Sequence, residues 1–355
     1  MIDPDWVTRL SDFRPAWWLP GGHAQTLSAA FWKGHQHAEQ GVARQIALPD
    51  GDALIALDDR PSAWMVGDPA ILMMHGLGGS ARNAFLVRMA AKLVQRGVRV
   101  FRLNLRGCGA GAGLARLPYN AGRSGDLKAA VAAVIEWCRE PSRQAGSLSH
   151  SPLTLFGMSL SANLLLKYLG EEGANIPTEV RRAIAINPPI DLARSVLTLE
   201  RPLNRMYDQH FVKALIDHVR QQSIHRSDFA ALPDPLPRTL FDFDDRFTAP
   251  HGGYLNAAAY YTAASSQLRI PHINIPTLIL TAADDPLVPV EMFHEQRSNW
   301  PEPVQLAITR GGGHLGYVGQ SPGDADARWL DWRVMEFVSE TSDSPHQANG
   351  VNDRS

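Results

Sequence analysis

Residues 151–170 read SPLTLFGMSLSANLLLKYLG. Leu153 to Phe156 is an apolar run of strand length, and Ala162 to Leu169 has the length and composition of a helix. Between them stand Gly157-Met158-Ser159-Leu160-Ser161. A strand that passes into a helix through one sharp turn lifts the turn's hydroxyl out of the sheet, as in a nucleophile elbow. The helix N-terminus then points amide N–H groups at an oxyanion forming beside that hydroxyl. Small residues two before and two after the serine let strand and helix approach. Here they are Gly157 and Ser161, so the usual G-x-S-x-G becomes G-x-S-x-S. A strand-to-helix turn that happens to carry a serine fits the same five residues, so the flanking sequence has to decide.

Working outward, the chain alternates in βα fashion. Residues 44–57 read as a hairpin around Pro49-Asp50-Gly51-Asp52, a good turn sequence. Ala70 to Met74 is a continuous apolar run, which suits a strand buried on both faces of a parallel sheet, and Val98 to Leu103 reads as the next strand. Helical spacing covers Ala84 to Gln95 and Asp126 to Cys138, the second entered through Ser124 or Asp126. Further strands are expected at Arg182 to Asn187, Thr277 to Ala282 and Val304 to Thr309. Ile190 to about Gln267 breaks the rhythm, with Pro233, Pro235 and Pro237 in a polar, helical or irregular stretch. The expected architecture is α/β: a mostly parallel, doubly wound sheet of about eight strands flanked by helices, with a helical cap insertion. Ligands in such sheets bind at the carboxyl ends of the strands. His75, Ser159, Asp285 and His314 all fall just after candidate strands.

A serine hydroxyl needs a base, and the base needs an orienting partner. Asp284-Asp285-Pro286-Leu287-Val288-Pro289 follows the strand ending at Ala282. Asp285 is the expected acid, with Asp284 the alternative. His314 lies in the glycine-flanked loop Arg310-Gly311-Gly312-Gly313-His314-Leu315-Gly316 and is the expected base. The chain order Ser159…Asp285…His314 is the order used by α/β-hydrolases. His75-Gly76-Leu77-Gly78-Gly79 follows an earlier strand, and its glycines let backbone amides turn towards a ligand. The N–H groups of Leu77 and Leu160 are the expected oxyanion donors, and His75 is read as holding the loop. Arg106 to Gly111 lacks the G-x-x-x-x-G-K-[ST] spacing of a phosphate cradle, and no H-E-x-x-H or Cys/His cluster is present. No cofactor or metal is expected.

The bulk properties agree with a globular enzyme. Of 355 residues, 45% are hydrophobic and 20% charged. A net charge of −2 gives no reason to expect a nucleic-acid partner. No run reaches the 18 or so apolar residues that span a bilayer. The start, MIDPDWVTRLSDF, does not read as a signal peptide. Two cysteines, Cys108 and Cys138, form no disulfide framework, and a cytoplasmic setting is the simplest. Phe13, Trp17, Trp18, Phe31 and Trp32 are expected to pack on the domain, with peripheral membrane contact as the alternative.

With these residues in place, the chain resembles an α/β-hydrolase, and more narrowly the YheT-like branch. That branch includes bacterial esterases, eukaryotic membrane-associated ABHD lipases and yeast medium-chain ethyl-ester synthases. The resemblance runs over roughly residues 13–340. It is carried by His23-Ala24-Gln25-Thr26, His75 to Ser80, Arg106 to Gly109 and Tyr119 to Gly122, then by the elbow and Asn187-Pro188-Pro189. Phe243 to Gly252, Tyr260-Tyr261, Ser265-Ser266, Asp284-Asp285-Pro286 and Gly313 to Gly316 complete it. The resemblance implies acyl hydrolysis of carboxylic esters, short- to medium-chain or acylglycerol, with Ser159, Asp285 and His314 as the triad. Two departures stand out. Ser161 replaces the family's glycine, and the N-terminal anchor of eukaryotic members is not recognisable, which favours a soluble enzyme.

The expected division is an N-terminal extension over 1–43, a core over 44–190 and 266–340, a cap over 191–265 and a disordered tail over 341–355. Asp244, Asp245 and His251 in the cap are read as structural. Three functions compete: a serine carboxylesterase or lipase acting on a small-molecule ester, an acyltransferase passing the acyl group to an alcohol, and a non-catalytic binding protein on a hydrolase scaffold.

Overall fold

Strands whose residues point into protein on both faces form the middle of the molecule. The computed structural model describes residues 2–32, 41–139 and 150–339. Among the described residues eight strands form one sheet: β1 (Val42–Ala47), β2 (Ala53–Asp59), β3 (Ala70–Met74), β4 (Arg99–Asn104), β5 (Leu153–Met158), β6 (Val180–Ile186), β7 (Thr277–Ala282) and β8 (Val304–Thr309). Their order is β1-β2-β4-β3-β5-β6-β7-β8. Only β2 runs against its neighbours. Every residue of β3, β5 and β7 is buried, as apolar-rich strands in the middle of a parallel sheet require. β4 is also buried throughout, although it carries two arginines. Each is neutralised by a bidentate carboxylate on the adjacent β2: Arg99 by Asp58 and Arg102 by Asp59, at 2.7–3.1 Å.

Helices cover both faces. α1 (Pro4–Leu10) and α2 (Gly21–Phe31) precede the sheet. α3 (Ala84–Val94), α4 (Ser124–Arg139) and α5 (Leu160–Glu172) are crossover helices. Between β6 and β7 the chain is helical: α6 (Leu192–Leu199), α7 (Arg205–His225), α8 (Leu240–Phe243), a π turn over 244–248, α9 (Ala249–Gly252) and α10 (Ala257–Ala264). α11 (Glu291–Gln296) and α12 (Trp329–Ser339) complete the set. One apolar core joins the sheet to α4, α5 and the helices between β6 and β7; a second, on the other face, joins it to α1, α3 and α12. This is the α/β-hydrolase fold with an inserted helical cap.

Several element ends differ from the sequence reading by one to three residues, and two of them have a local cause. α4 begins at Ser124, because helical geometry extends through the residues read as candidate caps. β6 ends at Ile186 rather than Asn187: Asn187 turns to a positive φ of 47° and leaves the sheet. The segment 341–355 lies outside the described residues, as do 33–40 of the N-terminal segment.

The chain crosses from β4 over β3 to β5, so the winding direction reverses between β3 and β5. Met74 at the end of β3 stands in register with Gly157 of β5. The loop after β3 and the turn after β5 are therefore side by side, at the crevice where such sheets bind ligands.

Candidate active site

The turn after β5 is strained where the sequence places its nucleophile. Ser159 has φ 54° and ψ −124°, a conformation that costs a non-glycine residue about 1–3 kcal/mol. Its amide donates to Ile186 O of β6 at 2.8 Å, and its carbonyl accepts from Ala162 N at 2.9 Å. Gly157 is obligatory, since a Cβ there would lie 2.5 Å from Ser161 O and 2.8 Å from Ala162 Cα. Gly76 clears space from the other side; its Cβ would stand 3.2 Å from Ser159 Cβ. Ser161 is fully buried. Its hydroxyl lies 2.9 Å from Met74 O and 3.0 Å from Met158 O, and it accepts from Met158 N–H at 3.0 Å. The hydroxyl thus bridges β3 and β5, so polarity as well as size fits it to this position.

His314 Nε2 is 2.8 Å from Ser159 Oγ, and His314 Nδ1 is 2.8 Å from Asp285 Oδ2. With Nδ1–H donating to the carboxylate, Nε2 carries the lone pair and faces the hydroxyl. Asp285 is buried and fully bonded: Oδ1 accepts from Leu287 N at 2.8 Å and Val288 N at 3.1 Å, and Oδ2 also accepts from Asn187 Nδ2 at 2.7 Å. Asp284 has a different task. Its Oδ1 accepts from Gly313 N–H at 2.8 Å, anchoring the histidine loop. Burial raises its carboxyl above the ordinary range, and the Gly313 amide pulls the other way.

Sequence reasoning missed three supports of this triangle. Asn187 bonds Asp285 and, through Nδ2, Gly313 O at 3.2 Å, while Tyr317 Oη donates to Asn187 Oδ1 at 3.0 Å. Thr26 Oγ1 accepts from His314 N at 2.8 Å and donates to Gly22 O at 2.7 Å. Gln25 accepts from Val318 N at 2.8 Å and donates to Val318 O at 3.0 Å. The motifs 23–26 and 187–189 were visible, but their partners lie far away in sequence. One signal marks the region after the fact. Among the described residues, the non-glycine positions with positive φ are Ser159, Asn187, Leu315 and Tyr317, all of them at this site or in its histidine loop.

His75 is enclosed and neutral. Its Nδ1 bonds Gly76 O at 2.8 Å, and its Nε2 accepts from Leu105 N at 3.2 Å. Burial lowers its pKa to about 4. It therefore holds the loop after β3, as the sequence reading expects. Two amides of that loop are already engaged: Gly78 N donates to Tyr119 Oη at 3.0 Å, and Gly79 N to Gly76 O at 3.2 Å. Arg106, in the glycine-rich loop after β4, is bidentate to Asp126 at 2.6 and 2.7 Å and also meets Asp52 at 2.6 Å. Its charge is spent on holding that loop to α4. In the cap, Asp245 accepts from Ala257 N at 2.8 Å, and His251 Nδ1 bonds Phe247 O at 2.7 Å.

Ser159 and His314 open into a cleft of about 470 Å³. Its walls are largely apolar and include Leu27, Phe31, Leu77, Met206, Phe211 and Leu287. A serine with a base, an orienting carboxylate and an apolar cleft has the parts needed for acyl transfer. This is serine-hydrolase-type machinery on an α/β-hydrolase scaffold, consistent with carboxylesterase or lipase activity.

The family model described as the alpha/beta hydrolase fold matches residues 69–319, and the chain belongs to that family. It is 26% identical over 306 residues to the Escherichia coli protein YheT, covering 83% of this chain and 84% of that one. To the monoacylglycerol lipase of Saccharomyces cerevisiae it is 30% identical over 282 residues, covering 76% of this chain but only 59% of the yeast protein. Among solved structures it resembles the esterase Pf2001 of Pyrococcus furiosus, with a TM-score of 0.52 at 17% identity, covering 86% of this chain and 96% of that one. That last likeness is one of fold.

Proposed function

We propose that the protein is a serine carboxylic-ester hydrolase working through an acyl-enzyme, with Ser159, His314 and Asp285 as its triad. The observation that carries this reading is the unbroken chain Ser159 Oγ–His314 Nε2 and His314 Nδ1–Asp285 Oδ2, each link 2.8 Å. Ser159 attacks the ester carbonyl while His314 takes its proton, and Asp285 steadies the imidazolium. His314 returns the proton to the leaving alcohol, then activates a water that releases the acid. The amides of Leu77 and Leu160 face the oxyanion. Register between β3 and β5 and the N-terminus of α5 support that role.

The substrates are short- to medium-chain acyl esters or acylglycerols, in keeping with the apolar cleft and the name of the yeast relative. The match to YheT over most of both chains supports a place in that narrower branch. Residues 44–190 and 266–340 act as the core, 191–265 as the cap and 1–43 as an extension that braces the histidine loop. We place the enzyme in the cytoplasm. Among the described residues no helix is long and apolar enough to cross a membrane. Trp17 and Phe31 are 89% and 78% exposed, and Phe31 and Trp32 line the cleft, which supports peripheral contact with lipid. Acyl transfer to an alcohol in place of water uses the same residues, and product partition with a competing alcohol separates the two.

The test is fluorophosphonate labelling with a panel of p-nitrophenyl esters from about two to sixteen carbons. Wild type should label and turn over. Ser159→Ala should do neither, since losing a triad nucleophile costs on the order of 10⁴–10⁶ in kcat. A wild-type protein that neither labels nor hydrolyses any ester would leave a binding protein on a hydrolase scaffold.

A further inference from the structure

Behind the loop after β3 lies a second, much smaller cavity of about 20 Å³, room for one water. Its walls include Leu77 and Leu160 together with Tyr119, His218 and Asp244. Three observations make it more than a packing gap. His218 Nε2, on the cap helix α7, is buried and has no hydrogen-bond partner among the described residues. Tyr119 Oη accepts from the amide of Gly78, the residue after Leu77. A phenol has one further proton to give, and among the described residues no protein acceptor takes it. Asp244 brings a buried carboxyl, to which Tyr261 Oη donates at 2.9 Å. The Tyr119 and His218 rings stand edge to face, 5.2 Å apart between centroids. Burial, with His75 nearby, lowers the His218 pKa to about 4. The ring is therefore neutral and able to accept.

We propose that Tyr119 and His218 are positioning residues of the oxyanion loop, joined through one water held in this cavity. The water accepts the Tyr119 hydroxyl proton and donates its own two to His218 Nε2 and the Asp244 carboxyl. His218 Nε2, the buried side-chain atom of this lining left without a partner among the described residues, is then satisfied, as buried groups require. Tyr119 in turn fixes the Gly78 amide and so the direction of the Leu77 amide beside it. The consequence is a link between cap and chemistry. A shift of α7 reaches the oxyanion through His218, the water and Tyr119, with no contact to Ser159 or His314.

The inference rests on the reading of Leu77 as an oxyanion donor. Its test compares Tyr119→Phe, His218→Leu, the double variant and His218→Gln on a soluble p-nitrophenyl ester. Binding of a trifluoromethyl ketone, which forms the tetrahedral oxyanion on Ser159, is read alongside, as is fluorophosphonate labelling. An oxyanion donor that is misaimed rather than removed should cost about tenfold in kcat, less than outright loss. Each single variant should show that loss with KM nearly unchanged, and the ketone should weaken by the same factor. The double variant should be no worse than Tyr119→Phe alone, because His218 acts on the loop only through the water and Tyr119. His218→Gln, whose amide can still reach the water, should recover most of kcat. Additive losses, losses confined to KM, or a wild-type crystal structure with no ordered water there would overturn the proposal. A wild-type protein that fails to label or turn over would instead sink the hydrolase reading itself.

Discussion

Ser161 Oγ lies 2.9 Å from the carbonyl oxygen of Met74, the last residue of β3. The bond ties the helix that follows the nucleophile to the strand that leads into the loop carrying Leu77. It also gives a reason for serine at the place where the common pattern has glycine. Ser161→Gly and Ser161→Ala should therefore both lose activity through a loosened loop, by roughly tenfold or less, since one buried hydrogen bond contributes about 0.5–1.5 kcal/mol. Ser161→Val should be worse, because overpacking costs about 1–3 kcal/mol and displaces Leu160. The measurements are kcat and a thermal melt for the three variants. Full activity in Ser161→Ala would mean that the hydroxyl contributes nothing and that only size matters.

The two adjacent aspartates should separate cleanly. Asp285→Asn presents an amide to His314 Nδ1 and selects the wrong tautomer, a loss on the order of 10⁴ in a comparable triad. Asp284→Asn keeps an oxygen for the Gly313 amide and should stay within about tenfold, the range of one hydrogen bond. Steady-state kcat for both variants decides, and the reverse ranking would move the acid by one residue.

Thr26 reaches the base through its backbone, so its effect should follow its hydroxyl. Thr26→Val keeps the shape but removes the acceptor of His314 N–H, while Thr26→Ser keeps it. We expect Thr26→Val to lower kcat by several-fold, about 1 kcal/mol, with the serine variant near wild type. Equal activity of the two would show that the histidine loop holds itself.

Stability should depend on pH through three buried groups. His75 and His218 are lowered to about 4, by burial first in each case. Their contribution is present above the ordinary histidine value and is lost as pH falls towards 4. Asp244 is raised to about 7, again by burial first. Its contribution is present at low pH and is lost as pH rises through 7. Between about pH 4 and 6.5 the unfolded chain thus holds two extra protons on the histidines and the folded chain one on Asp244. The net slope favours stability that rises with pH. Asp244→Asn removes the opposing term, so its melting temperature should climb more steeply over this window and exceed wild type above pH 7. Parallel curves for the two proteins would contradict a raised Asp244.

Much of the site was legible because its chemistry is local. An apolar strand, a small residue, a serine and a helix within 151–170 have the form of an elbow, and the order of Ser159, Asp285 and His314 after candidate strands separates it from a chance turn. Strand ends mark where ligands bind, so Asp285 and His314 could be placed by their position after β7 and β8. The unbroken apolar run of β3 likewise imposed burial on both faces and hence a parallel sheet. These features depend on residues a few positions apart, where periodicity and turn chemistry carry information.

What the tertiary structure alone decided are the pairings across long stretches of chain. Thr26 meets His314 across 288 positions, and Gln25 meets Val318 across 293. Asn187 reaches Asp285 across 98 positions, and only because it leaves β6 at a positive φ. Whether Asp284 or Asp285 faced the histidine was likewise open, since adjacent side chains after a strand can point either way until the loop packs. Likewise, neither the Ser161 bond to Met74 nor the cavity between α7 and the loop after β3 has a pattern in the sequence. Side-chain hydrogen bonds depend on where the sheet winding and the cap place two distant backbones. That placement comes from packing the whole core, not from any segment read alone.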